Sequence, residues 1–525
     1  MVRINLWNMV RGTIKDNKIP ITRQYKSFIV FLVIILLLIA PINYIANFLS
    51  FQYPIEYRET ASIYPAIALN KGINPYSLLD FPEHIYVYGI LYPLTLAPII
   101  NLANHPLLIA RAYNVLFLIA FLWMSFLIFR KRNASVISAS IGVLMLLNSS
   151  CYIWTINGVR PDTPALFFAF LGLCFLLKEK PTSVDIFLCA ISCVISFYFK
   201  QYFLFSALVA TAFLYFCVSK QKGYLFIAAT IILGLVSFSV IRSIFPLYYE
   251  YSILHHINMS GNSTAYMENE SISFLRYYWV MCLLYLFYLY KTVSAFGLRK
   301  FKEIRLMPFG LKEPFIPCTS IDIFGMGMIL SVVILTFWLG KHNGNTYTYY
   351  GELLLPFLLY VIIPGIDKLF KIDLHRALIH LLILAFCVFP FQVNYSTDYT
   401  SWNEAFSTLS QYAERCDNLY DETPLVALYK IEHNIFPLYN NGQIEYAQTV
   451  IPNREVISGR ISVIPTEYLN QRLLEWNNSI ESSIQKRAFD CIFSENEREI
   501  KDYKQIAKVE NVLGRTIYIR VSREP

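Results

Sequence analysis

Apolar runs of about 17–25 residues, each long enough to cross about 30 Å of hydrocarbon, recur along the first three quarters of the chain. They predict about eleven transmembrane helices, at 28–45, 107–129, 135–153, 164–177, 184–199, 202–218, 224–244, 274–290, 323–339, 353–370 and 377–391. One further run, 91–102, is short and broken by Pro93 and Pro98. It reads as an interfacial helix on the outer face rather than a span. From Asn394 the pattern changes: charges become frequent and apolar runs shorten. Residues 425–429 and 516–521 read as strands and 467–483 as a polar helix. The expected architecture is therefore an all-α polytopic membrane core over 1–393, with interfacial helices in its first external loop, followed by a small external α/β domain over 394–525.

Charge sets the orientation. Arg3, Arg11, Lys15, Lys18, Arg23 and Lys26 precede the first span and place the N-terminus in the cytoplasm. Arg130, Lys131 and Arg132 close the second span on the same side. The clusters Lys178/Lys180, Lys220/Lys222, Arg299/Lys300/Lys302/Arg305 and Lys371/Arg376 continue the alternation. The loop 248–270 has no Lys or Arg but carries Glu250, Glu268 and Glu270, so it is external. Counting 91–102 as a span would put Arg130–Arg132 outside and invert every later loop. The expected placement is the inner (plasma) membrane, multi-pass, with the C-terminal domain extracytoplasmic. The first apolar run is too long for a cleavable signal and reads as a signal anchor.

Composition agrees: 56% of the 525 residues are hydrophobic. The net charge of +8 sits in short loops, and no nucleic-acid motif accompanies it. Most of the ten cysteines lie inside apolar runs, where they read as small core residues. Cys416 and Cys491 lie in the tail and would pair only in an oxidising compartment.

The unusual polar groups fall on the external side. Glu56, Arg58 and Glu59 lie in the first loop, 51–91. Arg160 and Asp162 open the fourth span, and Lys200 and Gln201 form the next outside hairpin. Lys341, His342 and Asn345 follow the ninth span, with Tyr349 and Glu352 leading into the tenth. Lys and Arg at a bilayer surface clamp phosphates. A nearby carboxylate takes a proton from an attacking hydroxyl. Each group also has a plainer reading. Arg160 and Asp162 would serve as a capping ion pair, Lys200 would snorkel to headgroups, and Glu56 and Glu59 would be solvated charges. The shared face weighs for function, because a charge at a membrane rim is a functional hypothesis by default.

At these residues the chain resembles bacterial membrane glycosyltransferases of the GT-C superfamily, in the branch related to protein mannosyltransferases and the aminoarabinose transferase of lipid A. Glu59 starts a helix followed by Gly72-Ile-Asn-Pro75-Tyr76, similar to the family's acid, helix and G-x-x-x-Y pattern. Tyr88-Gly-Ile-Leu-Tyr92-Pro93 stands where the family has Y-x-P-P, and Arg111 matches an arginine heading the second span. WTINGVRPD, ending on Asp162, looks like W-x(n)-R-x-D, and Phe199-Lys200-Gln201 like the K-Q hairpin. GKHNGNTYTYYGE, from Gly340 to Glu352, resembles G-K-x-G-x-x-x-N-Y-x-x-E. Two departures stand out: Tyr92-Pro93 replaces a double proline, and the loop carries Glu where many relatives have Asp. The resemblance covers roughly residues 53–364 and does not extend to the tail beyond Asn394.

The resemblance implies inverting transfer of a sugar from a polyprenyl-phosphate donor to an envelope glycan, lipid or protein. Glu59 is the first choice for base and Glu56 the second. Arg160, Lys200, Gln201, Lys341 and His342 would hold the donor phosphate. Arg58, Asp162, Asn345, Tyr349 and Glu352 would position the other groups. No cofactor is required; Asp162 admits a divalent cation, but nothing demands one. A transporter or flippase would show charges deep within spans and two similar halves, and no clear repeat is found. A glycan polymerase or ligase would favour a large late external loop.

Overall fold

The computed structural model describes residues 21–55, 57–77, 86, 88–102, 105–148, 158–178, 180–254, 279, 281–287, 290, 323–338, 346–369, 399–421, 434–436, 466–497, 499–512 and 515–522. Helices stand where the apolar runs predict them. They are α1 (Ile21–Ser50), α4 (Pro106–Lys131), α5 (Val136–Leu147), α6 (Asp162–Phe175), α7 (Ser183–Phe199), α8 (Gln201–Val218), α9 (Lys220–Ile244), α10 (Ile323–Trp338) and α11 (Thr346–Leu369). Residues 281–287 are also helical, within the eighth predicted span. The eleventh lies outside the described residues. Two helices belong to the first loop, α2 (Tyr57–Asn70) and α3 (Leu91–Ile100).

Local chemistry fixes the helix ends. Pro106 opens α4, where a missing N–H costs nothing, and Arg130 and Lys131 close it against the negative end of the dipole. Thr182 and Asp185 form a reciprocal capping box at the start of α7. Gly72, at φ +76°, ends α2 in the left-handed conformation that lacks a penalty only for glycine. Helix α8 is less regular than its apolar run suggests, opening with a 3₁₀ turn at Gln201–Leu204 and closing with a π turn at Leu214–Val218.

The helices pack through one apolar cluster that includes Phe121 and Ile128 of α4, Leu144 of α5, Phe170 of α6, and Phe357 and Tyr360 of α11. At the end bearing Arg130–Arg132, Asp367 of α11 caps α5. It accepts from the Ser135 backbone N–H and from Ser138 Oγ. By contrast α9 shows Ile231, Ile232, Leu235, Val236 and Val240 at its surface. An apolar helix with so little protein cover belongs against lipid.

Among the described residues the tail folds around a five-stranded sheet in the order β2-β1-β3-β5-β4. Its strands are β1 (Asn418–Asp421), β2 (Asn434–Phe436), β3 (Cys491–Ser494), β4 (Tyr503–Val512) and β5 (Arg515–Ser522). Strand β1 runs parallel to β2 and β3, and β5 runs antiparallel to β3 and β4. Side chains alternate between the two faces. Leu419, Cys491, Phe493, Ile517 and Ile519 pack with helix α12 (Tyr399–Ala413). Tyr420, Ile492 and Tyr503 pack with helix α13 (Thr466–Gln485). Cys416 and Cys491 form a disulfide that ties the end of α12 to β3. The strand expected at 425–429 lies outside the described residues.

Candidate functional site

The site is built where α1 ends, α2 and α4 begin, and the α6–α7 hairpin meets the first loop. Glu59, in the first turn of α2, is fully buried against Arg111 of α4. Arg111 Nε donates to Glu59 Oε1 (3.0 Å) and Arg111 Nη2 to Glu59 Oε2 (2.7 Å), a bidentate pair. The Ile55 backbone N–H donates to the same Oε2 at 2.7 Å. Arg111 also donates to the carbonyls of Phe48, Phe51 and Tyr53, and its guanidinium lies 4.6 Å from the Phe48 ring centroid. Both oxygens of Glu59 are therefore engaged in fixing the loop onto α4. A general base needs a carboxylate oxygen open to the acceptor hydroxyl, and here both oxygens of Glu59 are occupied by Arg111 and the Ile55 N–H.

A second cluster lies on the neighbouring helices. Asn114, one turn below Arg111 on α4, donates to the carbonyls of Gly158 and Arg160. The Tyr92 hydroxyl of α3 donates to its Oδ1. Asn114 thus holds the backbone that presents Arg160 and Asp162. Lys200, at the end of α7, donates to Asp162 Oδ1, which also receives the Tyr202 hydroxyl. The Lys200 ammonium sits 5.1 Å from the Tyr88 ring centroid and 4.9 Å from that of Tyr202. Such stacking offsets part of the ion's desolvation. Arg160, Asp162 and Lys200 are all buried, so the snorkelling expected of a headgroup anchor does not describe Lys200. Asp162 Oδ2 and the half-buried Gln201 Nε2 have no hydrogen-bond partner among the described residues.

The first loop closes over this pair. The Tyr76 hydroxyl and Ser252 Oγ both donate to the Tyr88 carbonyl, and Asn74 Nδ2 donates to the Ile244 carbonyl at the end of α9. Burial holds the phenols of Tyr76 and Tyr86 well above the ordinary tyrosine range, so both stay neutral at working pH. Gly89 lies against α7 so closely that a Cβ there would fall 1.9 Å from the Tyr198 carbonyl oxygen. Gly89→Ala is expected to push Tyr88 off Lys200 and to cost about 1–3 kcal/mol or more from overpacking. Thermal unfolding of the variant in lipid nanodiscs checks this.

Of the residues singled out by sequence, the structure brings Arg160, Asp162, Lys200 and Gln201 together, while Glu59 on α2 pairs with Arg111. Arg58 lies in the first turn of α2, and Tyr349 and Glu352 lie on α11. Glu56, Lys341, His342 and Asn345 are outside the described residues. No cluster of three or more His, Cys, Asp or Glu suited to a metal occurs among the described residues. Asn114, Tyr86 and Tyr202 are the site residues that the sequence reading passed over. An amide inside an apolar run was the available signal for Asn114.

No family model matches the sequence, and no curated protein matches it. Solved structures do. ArnT from Cupriavidus metallidurans in the apo state aligns with a TM-score of 0.54 at 11% identity, covering 92% of this chain and 97% of the other. The structure of the same protein bound to undecaprenyl phosphate aligns with a TM-score of 0.50, also at 11% identity and with the same shares. The chain has the ArnT fold. At that coverage the likeness to ArnT extends past the membrane helices into the tail, which lay outside the sequence resemblance. With 11% identity the likeness to ArnT is one of fold, and the roles of individual side chains rest on their own geometry.

Proposed function

We propose that this protein is a glycosyltransferase of GT-C type, moving a sugar from a polyprenyl-phosphate donor to an acceptor at the outer face of the inner membrane. The observation that carries the reading is the buried Lys200–Asp162 pair beside Arg160, set at one end of a membrane bundle with the ArnT fold. A buried ion pair is costly to assemble and gives little net stability. Its retention at a membrane rim, between aromatic rings, favours service to an anionic ligand.

The chemistry follows from the parts. The acceptor hydroxyl oxygen attacks the anomeric carbon from the face opposite the phosphate, inverting it. The bond from that carbon to the phosphate oxygen breaks, and its electron pair stays on the phosphate. Lys200 and Arg160 stabilise the charge that develops there. Asp162 orients Lys200 and keeps the site from accumulating uncompensated cations. Lys341, His342 and Asn345, with Tyr349 and Glu352 on α11, would complete the phosphate site from the ninth loop. The acceptor's proton goes to a carboxylate of the first loop. Glu59 is held by Arg111, so Glu56 takes the base role in this reading and Glu59 positions it.

The test is a transfer assay on the purified protein in nanodiscs, with polyprenyl-phosphate sugars as donors and envelope glycans, lipids or peptides as acceptors. Transfer with release of polyprenyl phosphate is the expected result. Passage of the intact lipid-linked sugar between leaflets without cleavage would identify a flippase instead.

A further inference from the structure

The segment joining α1 to α2 is gripped from two sides. On one side Arg111 donates to the carbonyls of Phe51 and Tyr53, and Ile55 donates its N–H to Glu59. On the other, the side chains at alternate positions, Phe51, Tyr53 and Ile55, all pack into the tail's core, while Gln52 between them is exposed. The Tyr53 ring lies flat on Phe406 of α12, with centroids 4.8 Å apart and planes at 7°. Phe51 meets the edge of Phe406 and the ring of Trp402, each at 6.3 Å. Helix α12 is in turn stapled to the sheet through Cys416 and Cys491. The sheet's other face reaches the far half of the same loop: Tyr76, Tyr86 and Ile90 share a cluster with Leu473, Trp476 and Ile480 of α13.

A domain tethered only as a passenger has no need to engage both halves of one catalytic loop. We propose that the tail is a working part of the transfer site. Helix α12 is the outer jaw that sets the position of the first external loop, and Trp402 and Phe406 are positioning residues for the carboxylates that loop carries. The assignment to transfer rests on the reading of function above; the jaw itself rests on the ring contacts and the shared carbonyls. The ring contacts of α12 fall on Phe51 and Tyr53, whereas Arg160 and Lys200 stand at the start of α6 and the end of α7, so the two halves of the machinery are expected to separate by mutation.

The experiment uses the full chain in nanodiscs. Phe406→Ala is expected to lower kcat about 100-fold, the loss that a displacement of about 1 Å produces, with little change in KM for the donor. Phe406→Tyr keeps the stacking face and should restore most of the rate. Hydrogen exchange supplies a readout that needs no turnover: the amides of residues 51–53, 55, 59 and 60 should exchange about tenfold faster or more in Phe406→Ala, while those of α7 stay as in the parent. If Phe406→Ala does not fold, reduction of the Cys416–Cys491 disulfide in the unmodified protein and the Trp402→Ala variant make the same comparison. Unchanged exchange at those amides, or a folded Phe406→Ala with the parental kcat, overturns the jaw. Faster exchange in a protein that transfers no sugar would sink the transferase reading and leave the jaw standing.

Discussion

Replacing Arg111 with leucine is expected to destabilise the protein by about 3–5 kcal/mol, the cost of leaving one member of a buried ion pair without its partner. Arg111 and Glu59 are both fully buried, so neither water nor salt would compensate the remaining carboxylate. The substitution also strips donors from the carbonyls of Phe48, Phe51 and Tyr53. Glu59→Gln should give a loss of similar kind, because a neutral amide cannot match the bidentate guanidinium. The double variant Arg111→Leu/Glu59→Met removes both charges and should lie closer to the parent than the sum of the single losses. Chemical unfolding in mixed micelles measures all three. A Glu59→Gln protein with parental stability and no turnover would return the role of base to Glu59.

The second large effect is expected at Lys200. If Lys200 serves the departing phosphate as proposed, Lys200→Gln should lower turnover about 100- to 1000-fold, the usual consequence of deleting one charge-stabilising donor. Donor binding should weaken by about 1.5–3 kcal/mol, the scale of a hydrogen bond to a charged group. Asp162→Asn should reproduce part of this loss without touching the phosphate, since Lys200 and Tyr202 both donate to Asp162. Because the two residues form one unit, the double variant should be no worse than the more severe single one. Additive losses would show that Asp162 and Lys200 act separately.

Much of the membrane core was legible because its signals are local. Length and hydropathy marked the helices that the structure places at 106–131, 201–218 and 220–244. Pro93 and Pro98 kept residues 91–102 from being counted as a span, and α3 occupies that stretch. The β5 strand was legible from its alternation over 516–521. Strands β1 and β3 have four residues each, too short for a period of two to register. Glu59 was visible as a carboxylate, but its partner stands on another helix. Sequence shows that a charged group exists and not whether another side chain already occupies it. The same limit hid the aromatic seat of Lys200, which Tyr88 of the first loop and Tyr202 of the first turn of α8 assemble.

The most direct test is a density map of the protein in nanodiscs with polyprenyl phosphate bound. The phosphate is expected within hydrogen-bond distance of Lys200 Nζ and the Arg160 guanidinium, with the first loop closed over it as Tyr76, Ser252 and α12 now hold it. A lipid phosphate seated elsewhere on the protein, with the Lys200–Asp162 pair closed and unchanged, would contradict it.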